Sequence, residues 1–100
     1  MAFKLIRFIR RRNIRIDAGL FSDPSDVHDA FRKALGREDY VGSNLDALHD
    51  VLTTTFSFTT IRVINFGTAR EKLGDYADSL KNVLVDSAAE NRCLRVEISE

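Results

Sequence analysis

The run Thr59-Thr60-Ile61-Arg62-Val63-Ile64-Asn65-Phe66 constrains the fold more than any other stretch of this chain. It is β-branched and apolar with a single charge, which is the composition of a central strand buried on both faces. Its flanks read as helices. Upstream, Asp23 followed by Pro24 predicts a helix start, with Asp23 as N-cap, Pro24 at the first position and Asp26 near the positive end of the dipole. Val27, Ala30, Phe31, Ala34 and Leu35 form its buried stripe, and Gly36 is the expected stop. A second helix follows over Leu45, Leu48 and Leu52, spaced i, i+3 and i+7, with Asn44 or Ser43 as the cap. Downstream, Thr68 to Leu73 reads as a short helix, and Asp75 to Asn91 as the longest, with Tyr76, Leu80, Val83, Leu84 and Ala88 on one side. Asn13 to Asp17 and Cys93 to Ile98 alternate as two further strands. Strands separated by helices pair in parallel through right-handed crossovers. The expectation is therefore an α/β fold, a small three-stranded parallel sheet packed with about four helices.

A chain of 100 residues supports one domain, able to bury roughly 60 to 70 per cent of its unfolded surface. We read residues 13–100 as that domain and residues 1–12 as a basic N-terminal extension, a strand or hairpin arm turning at Arg10-Arg11-Arg12. No apolar run is long enough to cross a bilayer, and Lys4, Arg7 and Arg10 interrupt the start in a way that a secretory signal does not. A lone cysteine, Cys93, cannot close an intramolecular disulfide. These features point to the cytoplasm. The formal charge of zero hides an asymmetry: six of the fifteen basic residues precede the first acid, Asp17. From there on, nine basic residues face fifteen acidic ones, a net of minus six, so the body of the protein complements a basic partner.

The segment Tyr40-Val41-Gly42-Ser43-Asn44-Leu45-Asp46-Ala47-Leu48-His49-Asp50-Val51-Leu52-Thr53 carries the clearest functional signal. With the leucines turned to the core, Asp46, His49, Asp50 and Thr53 form a ridge on the other side. Two carboxylates one turn apart, with no lysine or arginine beside them in sequence, repel mildly and suit a cation arriving from outside. A histidine between carboxylates is also an acid/base arrangement, but no nucleophile, glycine-rich anion loop or metal-spaced trio accompanies it, so an enzyme is not expected.

The pattern Tyr-x-Gly-x-Asn-Leu-Asp-Ala-Leu-x-Asp-x-Leu-Thr resembles the signature of the barstar family of intracellular ribonuclease inhibitors. The likeness extends from about Asn13 to Ile98, through Ile16-Asp17, Asp26-Val27-His28 and the late helix leading to Cys93. The resemblance implies that the second helix enters a ribonuclease active site and that its carboxylates take the place of RNA phosphates, with no cofactor and no bond made or broken. It assigns partner-binding roles to Asp50 as the central anion, Asp46 as a second carboxylate, Tyr40 as an aromatic at the rim, and Asn44 as a contact or a helix cap. Asp86 matches a further acidic position if one extra residue precedes Cys93; without it, Ser87 takes the place. The implied partner is a secreted microbial ribonuclease of the barnase type, or a related nuclease toxin, with a cationic cleft.

The chain departs from the family in having no tryptophan: His49 stands where barstar carries one and Thr55 where the prototype has another. Aromatic anchors supply much of an interface's energy, so His49 is expected to adapt the ridge to a different nuclease and to make binding pH-dependent. The alternative function is a small RNA-binding module using the arginine-rich start. The competing structural reading of those arginines is a strand edge protected by charge. His28 and Cys93 read as structural, and the phenylalanines as core.

Overall fold

The computed structural model describes residues 11–37, 39–40 and 42–100. Of the expected arm over residues 1–12, residues 1–10 lie outside them. The elements follow in the order β1 (Arg12–Asp17), a single 3-10 turn (Ala18–Leu20), α1 (Pro24–Leu35), α2 (Leu45–Thr53), β2 (Thr59–Ile64), α3 (Phe66–Leu73), α4 (Asp75–Glu90) and β3 (Leu94–Ile98). The three strands form one sheet in the order β1-β2-β3, both pairings parallel, with Ile14 opposite Ile61 and Ile61 opposite Val96. This is the α/β architecture expected. The central strand is the most buried of the three, having neighbours on both edges: Thr59, Thr60, Ile61 and Val63 are buried.

α1 starts as its sequence dictates. The Asp26 N–H donates to Asp23 Oδ1 at 3.1 Å, Pro24 occupies the first turn, and Gly36 closes the helix in the left-handed region at φ 63°. Several boundaries differ from expectation by one or two residues. β2 ends at Ile64, not Phe66, because Asn65 turns the chain at φ 57° and Phe66 opens α3 with its ring fully buried. The turn is held from outside the run: Asn65 Nδ2 donates to Asp17 Oδ1 at 2.9 Å. That bond, with a second from the Gly19 N–H, holds the Asp17 carboxyl below the usual range. β1 begins at Arg12, one residue earlier than the alternation indicates, and Arg11 donates to the carbonyls of Thr59 and Cys93.

α2 packs against α4, α4 against α3 and β3, and α1 against β1. Val27, Phe31, Leu48, Leu52, Ile61, Val63, Phe66, Leu80 and Leu84 meet in one core and are fully buried. At its margin His28 is fully buried between two phenols, its Nδ1 at 2.6 Å from the Tyr40 hydroxyl and its Nε2 at 2.6 Å from the Tyr76 hydroxyl. A neutral imidazole fits this place, donating to one hydroxyl and accepting from the other. Burial lowers the His28 pKa from 6.5, and the Arg32 charge adds to the effect against a smaller opposing influence of Asp29. The unfolded chain therefore takes up this proton before the folded one. Stability contributed by a neutral His28 is complete above pH 6.5 and is lost as pH falls from there through the folded-state pKa. Urea midpoints measured between pH 7.5 and about 5 should fall for the wild type. A His28→Gln variant with the same slope as wild type over that window would refute the assignment.

Candidate acidic helix face

The ridge helix is pinned at both ends before any partner arrives. At its start Asn44 is an N-cap, with Ala47 N–H donating to Asn44 Oδ1 at 2.8 Å. Of the two roles open to Asn44, the structure displays the cap; the residue as a whole is exposed. The loop before it is gripped by Arg32 of α1. Its Nε donates to Tyr40 O at 3.1 Å, its terminal nitrogen to Gly42 O at 2.7 Å, and its guanidinium lies 4.9 Å from the Tyr40 ring centre. Gly42 sits at φ +96°, a conformation that side-chain-bearing residues rarely adopt.

The C-terminal carbonyls of α2 are satisfied without glycine. Thr53, Thr54 and Thr55 return their hydroxyls to the carbonyls of His49, Asp50 and Val51 at 2.8, 2.7 and 2.8 Å. Arg37 donates to Val51 O, Thr54 Oγ1 and Thr55 Oγ1 while paired with Asp39. Asn91, past the end of α4, donates to Leu52 O and Thr55 O at 2.8 and 2.9 Å.

Between these pins the helix divides as its pattern requires. Leu48, Val51 and Leu52 are buried and Leu45 half-buried, whereas Asp46 and Asp50 are exposed. Neither carboxylate has a hydrogen-bond or ion-pair partner among the described residues. The fold does bring an arginine close, which the spacing in sequence does not reveal: Arg37 reaches the end of α2, but its charge is taken by Asp39. Asp39, Ala47, Asp50, Val51 and Thr54 line a hollow of about 360 Å³ with Asp50 on its wall.

The remaining predicted residues fall in different places. His49 turns toward α4, where its Nε2 lies 2.7 Å from Glu90 Oε2, both side chains partly exposed. Tyr40 is not at a rim. It is 2 % exposed, because His28 satisfies its hydroxyl and the ring can then be buried; burial pushes its pKa up to about 12. Tyr40 thus supports the loop that launches α2. Asp86 is exposed one turn before Glu90, while Ser87 is fully buried with no partner for its hydroxyl among the described residues. Of the two alternatives, only Asp86 presents an acid to solvent. Glu90 was not singled out by sequence, since 41 residues separate it from His49 and no motif links them.

Two arginines of the basic start are engaged in the fold. Arg11 holds the carbonyls of Thr59 and Cys93, and Arg12 those of Ala34 and Leu35. This is structural use of charges that an RNA-binding reading would need free. No three His, Cys, Asp or Glu side chains among the described residues are grouped so as to hold a metal ion. No helix of the structure is long and apolar enough to cross a membrane.

A family model described as Barstar (barnase inhibitor) matches residues 11–99. A Bacillus subtilis (strain 168) protein named "Putative ribonuclease inhibitor YrdF" is 36% identical over 80 residues, which is 79% of this chain and 88% of that one.

Proposed function

The chain belongs to the barstar family, and from that premise we propose that it neutralises a ribonuclease by seating the acidic face of α2 in the enzyme's active-site cleft. The observation that carries this reading is the pair of exposed carboxylates of Asp46 and Asp50, unpaired among the described residues, on a helix fixed at both ends. A cleft built for RNA phosphates offers arginine, lysine and histidine donors, and carboxylate oxygens held in a rigid array meet them without the ordering penalty of a flexible acidic segment. Asp50 is the central anion and Asp46 the second. Asp86 extends the acidic field from α4, and Asn44 contributes through its amide. His49, held by Glu90, sits at the junction of the two helices. No chemistry is required of the inhibitor: it excludes RNA by occupying the site. The partner is a secreted microbial ribonuclease of the barnase type or a related nuclease toxin, and the inhibitor acts in the cytoplasm of the cell that makes it.

Titration of barnase with the protein, read as the rate of RNA cleavage, tests the proposal. Inhibition should saturate near one inhibitor per enzyme, and association should slow as salt rises from about 50 to 500 mM because opposite fields steer the encounter. Undiminished cleavage at a large excess of the protein would reject it.

A further inference from the structure

Phe56 is 92 % exposed, the most exposed of the large apolar side chains among the described residues. Single apolar residues at a surface are ordinary, so exposure alone assigns nothing. Its setting is more specific. The residues before it are tied down by Arg37 at Val51, Thr54 and Thr55, and by Asn91 at Leu52 and Thr55, so the backbone that carries the ring is held against α2 and the end of α4. Thr55 is buried, its hydroxyl bonded to Val51 O, whereas its neighbour Phe56 is exposed. Beside the ring is a second hollow of about 330 Å³, lined by Arg12, Arg37 and Thr54 to Ser57. It adjoins the hollow that holds Asp50: Thr54 lines both, and Arg37 in the one is paired with Asp39 in the other. The acidic ridge and the exposed ring are therefore parts of one continuous face.

We propose that Phe56 is the apolar anchor of that face, seated in a recess of the ribonuclease beside its cationic cleft. The assignment rests on the function proposed above and adds to it the chemistry of the partner's surface. Opposite Asp46 and Asp50 that surface is basic. Opposite Phe56, which is almost wholly exposed, it is apolar. The backbone before Phe56 is pinned and an aromatic side chain has few torsions to order on docking, so much of the area that the ring buries counts toward affinity.

Calorimetric titration of barnase with wild type, Phe56→Ala, Phe56→Leu and Asp50→Ala separates the outcomes. Phe56→Ala should weaken binding by about tenfold or more, chiefly through faster dissociation, and Phe56→Leu by much less. Thermal unfolding of both Phe56 variants should match wild type, because the ring buries almost nothing in the free protein. Loss of affinity in Asp50→Ala with none in Phe56→Ala overturns the anchor and leaves the inhibitor reading standing. A wild type that does not bind barnase overturns both.

Discussion

Replacing Asp50 by alanine should leave thermal unfolding unchanged while weakening binding to barnase by about 2 kcal/mol or more, roughly thirtyfold. The two halves of that expectation have separate causes. The carboxylate of Asp50 is exposed and has no described partner, so its removal breaks no internal bond and strands no buried group. In the complex it would be desolvated among cationic donors, and truncation would leave those donors facing a vacancy, which is why loss of one member of a buried charge pair weakens an interface so much. The size is the general one for interface hot spots, to which the barnase–barstar complex itself contributes. Asp46→Ala should follow with a smaller loss. Equal affinities for wild type and Asp50→Ala would show that α2 is not the inserted element.

The opposite face of the same helix should give the reverse result. Leu48 is fully buried where α2 meets the core, and Leu48→Ala should lower stability by roughly 2 to 5 kcal/mol through lost transfer energy and the cavity left behind. Against a total of about 5 to 15 kcal/mol for a domain, that is a large fraction. Binding by the folded molecules should change little, because Leu48 is absent from the exposed face. Denaturant titration combined with affinity measured well below the unfolding midpoint distinguishes the cases. An affinity loss as large as that of Asp50→Ala, with unfolding unaffected, would mean that the two faces of α2 have been assigned the wrong way round.

Element order and the polarity of α2 were legible in the sequence because each rests on local periodicity, and parallel pairing followed from the alternation of strands and helices. Leu45, Leu48 and Leu52 mark a docking stripe whatever lies beneath them, and the β-branched run from Thr59 marks a strand that must be covered on both sides. The readings that changed depended on partners far away in the chain. Nothing within Thr59 to Phe66 signals that Asn65 turns, because the residue that holds it is Asp17. The resemblance places Tyr40 at the rim, yet its ring is buried and its hydroxyl is hydrogen-bonded to His28. Arg37 and Glu90 enter the neighbourhood of the ridge only by folding, and each is already occupied there, one with Asp39 and the other with His49. On α2 itself, the two acids that the pattern had marked, Asp46 and Asp50, remain without a described partner.

The buried phenol-imidazole-phenol chain through Tyr40, His28 and Tyr76 has a bearing on how such proteins can diverge. Each member satisfies a group that has no access to water, so changing one strands a donor or acceptor on its neighbour, whereas exchanging all three for apolar side chains of matching shape strands none. The trio should therefore be inherited or lost as a unit. Descendants that abandon it would need a different way of anchoring the loop that leads into α2, and the aim of the acidic helix would drift with that change even if every acid on it were retained.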